Sequence, residues 1–139
     1  MEPLFLLDTD ICIYIAKERP PQVRERFARH PAGELAMSVV TCGELWHGAE
    51  KSLAPERARA ALQGLTEVLA VLALPADAGR HYGRIRAALE RMGQPIGNND
   101  LWIAAHACAA GLCLVSNNER EFARIAGLRW ENWAAPPGP

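Results

Sequence analysis

Asp8 stands directly after the apolar run Leu4–Leu7, and Asp10 follows two residues later. Glu44 lies in "SVVTCGELWHGAEKS", Asp100 in "IGNNDLW", and Asn118 and Glu121 in "LVSNNEREF". Carboxylate and amide oxygens suit a hard divalent cation, magnesium or manganese, whereas zinc favours nitrogen and sulfur donors. Two carboxylates about 4 Å apart repel by about 4 kcal/mol at an effective dielectric near ~20. A cluster of three therefore needs a proton or a cation to relieve it. Each acid also has a plainer use. Asp8 or Asp10 can cap a helix, and Glu44 and Asp100 can favour a helix dipole. Asp10 is assigned here to the cap and Asp8 to the site.

Whether these residues meet depends on the elements that carry them. Leu4–Leu7 reads as a buried strand, because four consecutive apolar residues suit a strand covered on both faces. Helical stretches follow at Asp10–Lys17 and Pro21–His30, the second accepting proline in its first turn. "ELAMSVV" (34–40) is a second strand, and Thr41 is expected to cap the helix "CGELWHGAEKS". Pro55–Glu67 forms a helix and Val71–Leu74 a short strand. Ala76–Met92 is helical, with Tyr82, Ile85, Leu89 and Met92 on one face and Arg80, Arg84 and Arg91 on the other. The nearly all-apolar Asn98–Ala110 predicts a buried helix, stopped at Gly111. "LCLV" is a fourth strand, Glu119–Ile125 a last helical turn or two, and "LRWENW" an edge strand.

Strands separated by helices predict an α/β fold: one three-layer domain over residues 1–133, with a parallel sheet of four to five strands flanked by helices. "AAPPGP" (134–139) is read as an unstructured tail. In such sheets ligands gather at the carboxyl ends of the strands and the adjoining helix starts. Asp8, Glu44, Asp100 and Asn118 all map to that edge, which the separate structural uses do not explain.

Composition narrows the classes. Half of the 139 residues are hydrophobic, enough for a full core in one domain. No stretch approaches the length of a membrane span, and the N-terminus lacks a secretory apolar region. Cys12, Cys42, Cys108 and Cys113 show no CxxC spacing and read as buried thiols in a reducing cytosol. The net charge of −1 argues against a protein that coats nucleic acid by bulk electrostatics. Thirteen of the fifteen basic residues are arginine, which suits bidentate phosphate contact. Each arginine taken singly is read as part of a solvated helix face. "ELWH" has the Glu-x-x-His spacing of di-iron bundles but no second copy, so His47 and His106 are read as packed or surface histidines. Ser38 and Ser116 lack a nucleophile elbow.

With these sites in place, the sequence resembles the PIN-domain ribonucleases, specifically the VapC-type toxins of bacterial toxin–antitoxin pairs. "FLLDTDICIYIAK", "SVVTCGELWHGAEKS" and "IGNNDLWIAAHACAAGLCLVSNNEREFARIAGLRWENW" carry the resemblance, in the family's order, over nearly all of Leu4–Trp133. It implies that Asp8, Glu44 and Asp100 are the catalytic acids and hold Mg2+ or Mn2+. Thr9 and Ser116 then orient a carboxylate or water. Asn118 falls where many PIN domains have a fourth aspartate, a departure that removes one charge; Glu121 could substitute through a water, but its helical position beside Arg120 and Arg124 favours a surface role. The resemblance further implies metal-dependent endonucleolytic cleavage of structured RNA (tRNA or rRNA), an antitoxin partner of the VapB kind that blocks the acidic site, and a cytoplasmic homodimer. Trp46, Trp102, Trp130 and Trp133 are candidate core or interface aromatics.

Two alternatives compete. A PIN-like module with a degenerate site would grip RNA or protein without cleaving, and Asn118 favours it while the three intact acids oppose it. A phosphatase of the haloacid dehalogenase type would use Asp8 and Asp10 as its Asp-x-Asp pair. Against it, Cys12 stands where Thr or Val is usual, and no lysine or paired aspartates occur in the second half.

Overall fold

A computed structural model describes residues 2–136. In chain order the elements are β1 (Phe5–Leu7), α1 (Thr9–Lys17), α2 (Pro21–Ala28), β2 (Leu35–Ser38), α3 (Val39–Glu50), α4 (Pro55–Val68), β3 (Ala70–Leu72), α5 (Ala78–Arg91), α6 (Asn98–Ala110), β4 (Cys113–Val115), α7 (Glu119–Phe122) and β5 (Trp130–Glu131). The five strands form one parallel sheet in the order β3-β2-β1-β4-β5. The three-layer α/β expectation holds.

Alternation along the central strands builds the two apolar layers, because successive strand side chains point to opposite faces. Leu6 and Leu114 pack with Ile85, Leu89, Ile103 and Phe122, under α5, α6 and α7. Leu7 and Val115 pack with Ile11, Val23, Leu65 and Trp133, under α1, α2 and α4. Both layers bury these groups almost completely, so β1 and β4 are continuous apolar runs, unlike amphipathic strands. The chain leaves β1 toward β2 on one side and returns to β4 on the other, so a crevice opens between the carboxyl ends of β1 and β4. Asp8 stays on the ladder there: its N–H donates to Val115 O at 2.8 Å.

Three boundary expectations are corrected. α1 starts at Thr9 with Asp8 as its cap, and Asp8 Oδ1 accepts from the Thr9 N–H at 2.7 Å. Asp10 is not the cap. It sits in the first turn, with Oδ1 accepting from Ile11 N–H (2.7 Å) and Oδ2 from Asn117 N–H (3.1 Å). Likewise α3 starts at Val39, capped by Ser38, whose Oγ accepts from Val40 N–H at 3.1 Å. Thr41 is buried inside that helix, and Val39 and Val40 belong to its first turn, not to β2. β-branched residues favour strands in isolation, but a serine able to satisfy a free helix N–H ends the strand two residues earlier. The four cysteines are free. Ala134, at the start of the expected tail, is tied by its N–H to Asn132 Oδ1 and by its carbonyl to Gln22 Nε2 (2.8 and 2.9 Å). Residues 137–139 of that tail lie outside the described residues.

Candidate active site

The crevice is lined first by Asp8, 4% exposed and fixed from both sides. Ser116, immediately after β4, donates its hydroxyl to Asp8 Oδ2 at 2.8 Å, opposite the Thr9 N–H on Oδ1. Thr9 serves a second acid: its Oγ1 donates to Glu44 Oε1 at 2.6 Å and lies 3.5 Å from Thr41 Oγ1. The expected roles of Thr9 and Ser116 as carboxylate-orienting hydroxyls thus have their geometry. Glu44 sits well inside α3, because the helix starts earlier than expected.

Asp100 occupies the first turn of α6, where a helix favours negative charge. Asn118 bridges to it. Its N–H donates to Ser116 Oγ at 2.9 Å, and its amide Nδ2 donates to Glu121 Oε2 at 2.8 Å and reaches Asp100 Oδ2 at 3.5 Å. Glu121 is therefore part of this group, although its neighbours Arg120 and Arg124 suggest a solvated face. It is reached from Asn118 by the three-residue spacing of a helical turn, the signal by which sequence could have found it.

The electrostatics carry the mark of crowding. Burial raises the Asp8 pKa to about 6, and the charges of Asp10 and Glu44 add to it against the Ser116 and Thr9 hydrogen bonds. Burial also raises the pKa of Asp10. For Asp100 burial is again the largest cause of a raised pKa, followed by a hydrogen bond with Glu121 and then by the charges of Asp8, Glu121 and Glu44. Glu121 shifts the other way, held down first by that bond with Asp100. The two shifts run in opposite directions, so Asp100 holds a proton more readily than Glu121 does. Asp8 thus feels the charges of Asp10 and Glu44, and Asp100 those of Asp8, Glu121 and Glu44.

Among the described residues, no three His, Cys, Asp or Glu side chains stand close enough together to hold one ion. The acids are engaged instead with protein donors. The donor chemistry still fits a hard cation: every donor is oxygen, and the mutual repulsion is what a divalent charge relieves. Asn118 turns its amide nitrogen, not its oxygen, to the acids Glu121 and Asp100.

Beside Glu44 runs a groove of about 460 Å³ lined by Ile13, Ala16, Leu45, Ala61, Leu62 and Leu65 from α1, α3 and α4. It is mostly apolar, with Thr9, Glu44, Lys17 and Ser52 as its polar lining residues. The histidines stay out of the acidic group: His106 is buried against Ser38, and His47 lies near the end of α3. Trp133 is core, and Trp102 stacks on Tyr82 with ring centroids 4.0 Å apart.

A parallel sheet whose central crevice gathers carboxylates from β1, α3, α6 and α7 defines an acidic-site α/β protein, and the PIN-domain family model matches residues 5–128. The tRNA(fMet)-specific endonuclease VapC of Shigella flexneri is 48% identical over 130 residues, covering 94% of this chain and 98% of the relative. Ribonuclease VapC2 of Haemophilus influenzae is 46% identical over 129 residues, with 93% and 97% covered. A chain of the crystal structure of DNA-bound VapBC from Salmonella typhimurium superposes with a TM-score of 0.88 at 46% identity, covering 94% of this chain and 98% of that one. The chain belongs to the PIN-domain family, and within it to the VapC-type ribonucleases. It is an enzyme, and the phosphatase and non-cleaving alternatives are set aside. Asp10, spent on two backbone amides, is also no free acid/base partner for Asp8.

Proposed function

We propose that this chain is the toxin of a toxin–antitoxin pair, a cytoplasmic endoribonuclease that cuts structured RNA of the tRNA class with Mg2+ or Mn2+ at the crevice between β1 and β4. The observation that carries the reading is the hydrogen-bonded set at one sheet edge, with Ser116 on Asp8, Thr9 linking Asp8 to Glu44, and Asn118 linking Asp100 to Glu121. Asp8, Asp100 and Glu44 would hold the ion. When bound, a divalent cation supplies Lewis acidity at the phosphate and a water of lowered pKa.

The chain's own residues set the conditions. Ser116 and Thr9 fix both oxygens of Asp8, so its charge keeps one direction. Thr9 does the same for Glu44, which couples α1 to α3. Asn118 orients Glu121 and Asp100 through its amide Nδ2. Burial of Asp8 in a low-dielectric edge strengthens its interaction with any cation. Arginines at the rim would contact phosphates and position the strand without reading bases.

The tRNA class rests on the Shigella relative, named for tRNA(fMet). The antitoxin is the VapB-like partner, seated along the apolar groove of α1, α3 and α4 with a basic side chain reaching Glu44. The toxin is taken as a homodimer. The test is cleavage of an RNA panel including initiator tRNA by wild type, Asp8→Asn and Asp100→Asn, with Mg2+ or with EDTA. Cutting only by wild type with metal supports the reading. Cutting that survives EDTA and both substitutions removes it.

A further inference from the structure

His106 and Ser38 form a buried polar pair that the acidic site does not use. His106 Nδ1 lies 2.9 Å from Ser38 Oγ, and the two residues are 1% and 0% exposed. Ser38 ends β2 and caps α3, the helix that carries Glu44. His106 lies on α6, the helix that carries Asp100. Among the described residues this is the one side-chain hydrogen bond that joins the β2–α3 segment to α6. Its two ends stand six residues beyond Asp100 on one helix and six before Glu44 on the other.

The remaining contacts of α6 explain why such a bond matters. Its buried positions include Ala104, Ala105 and Ala107 beside Leu101 and Ile103. α6 packs chiefly on α5 and far less on α3, so apolar packing constrains its register less against α3 than against α5. A hydrogen bond between buried groups has one satisfying geometry, and slippage would leave the His106 ring nitrogen unpaired at a cost, with Ser38 Oγ keeping only the Val40 N–H. Burial also lowers the His106 pKa, because a charged ring in the core would be poorly solvated.

We propose that the Ser38–His106 bond is a positioning device that sets the separation of Glu44 and Asp100 for their shared cation. His106 and Ser38 touch neither cation nor RNA and act only through the two helices. This proposal rests on the metal-site reading above.

The experiment titrates Mn2+ into the full chain without RNA, by calorimetry, for wild type, His106→Leu and His106→Asn, with melting temperatures and cleavage kinetics alongside. Leucine removes the bond at similar volume, whereas asparagine returns a polar atom near the Nδ1 position. Expected for leucine is an Mn2+ affinity at least tenfold weaker and a lower kcat at unchanged KM, since a displacement of about 1 Å can cost about 100-fold. Asparagine should recover most of both. Ser38→Gly removes the same bond from the other side while glycine still serves as a cap, and it should reproduce the leucine result if that variant does not fold. Leucine and glycine variants that bind Mn2+ as wild type does would overturn the proposal. So would losses that track melting temperature alone and are not recovered by asparagine. If wild type binds no Mn2+, the metal reading itself falls and takes this proposal with it, an outcome distinct from unequal binding among the variants.

Discussion

The Ser116 hydroxyl donates to Asp8 Oδ2 at 2.8 Å, joining the carboxyl ends of two adjacent parallel strands from opposite ends of the chain. The same oxygen accepts the Asn118 N–H, so one serine orients the most buried acid and the loop that brings Asn118 and Glu121 to it. Ser116→Ala should therefore impair cleavage without unfolding the chain. The bond lowers the Asp8 pKa, so its loss should move the acid limb of the pH–rate profile upward by about 1 unit. A pH–rate profile of wild type against Ser116→Ala checks this. Superimposable limbs would show that the serine does not tune Asp8.

Asp8→Asn should separate activity from stability. Asparagine remains a good helix cap, so α1 keeps its start. The charge it removes is one the fold resists, since burial lifts the Asp8 pKa from 3.8 to about 6. At about 1.4 kcal/mol per pH unit, this strain is on the order of 3 kcal/mol in the metal-free protein above that range. Asp8→Asn should abolish cleavage and yet melt at or above the wild-type temperature at neutral pH without metal. Differential scanning calorimetry in EDTA provides the measurement.

Stability should depend on pH in a direction opposite to that of most paired carboxylates. Because the folded pKa of Asp8 exceeds its unfolded value, the folded chain binds the proton more tightly. The contribution is fully present below pH 3.8 and is lost as pH rises through about 6. Asp100, also raised, extends the loss toward higher pH. The metal-free protein should melt lower at pH 8 than at pH 5.5 through these two groups, and Mg2+ should raise the melting temperature more at pH 8. Equal Mg2+ effects at both values would argue against carboxylate ligation.

Asn118→Asp restores a charge at the departure from the fuller acidic set. The new carboxylate would face Glu121 and Asp100, its present partners at 2.8 and 3.5 Å. Like charges at that range should lower the metal-free melting temperature by several degrees and shift half-maximal activity to lower Mg2+ concentration. Activity titrations over Mg2+ test the second effect.

A bulky charge in the apolar groove should uncouple inhibition from catalysis. Ala61 lines that groove on α4 and is exposed. Ala61→Arg should weaken antitoxin binding by at least tenfold while leaving RNA cleavage unchanged, as measured by inhibition titrations with the VapB-like partner.

Much of this architecture was legible because its signals are local. The runs at Leu4–Leu7 and Leu112–Val115 mark central strands, and the residues that follow them, Asp8 and Ser116, meet once the sheet is parallel. What escaped was the division of labour among neighbours. Asp8 and Asp10 are both one or two residues from a strand end, and only the pleat and the Val115 carbonyl decide which faces the crevice. Asp8 does both tasks, cap and site, while Asp10 ties down the Asn117 loop. The start of α3 was displaced because Val39 and Val40 are strand formers by propensity, and the overriding Ser38 interaction depends on a histidine 68 residues away as well as on the cap. Glu121 looked solvated among arginines, since sequence cannot say which side of a short helix turns inward.

The central claim is that Asp8, Glu44 and Asp100 share a divalent cation that RNA cleavage requires. It is tested most directly by Mn2+ calorimetry on wild type, Asp8→Asn and Asp100→Asn, paired with cleavage of initiator tRNA by the same samples. Saturable binding by wild type, lost together with cleavage in both variants, is the predicted result. RNA cut at an undiminished rate by a variant that no longer binds Mn2+ would contradict it.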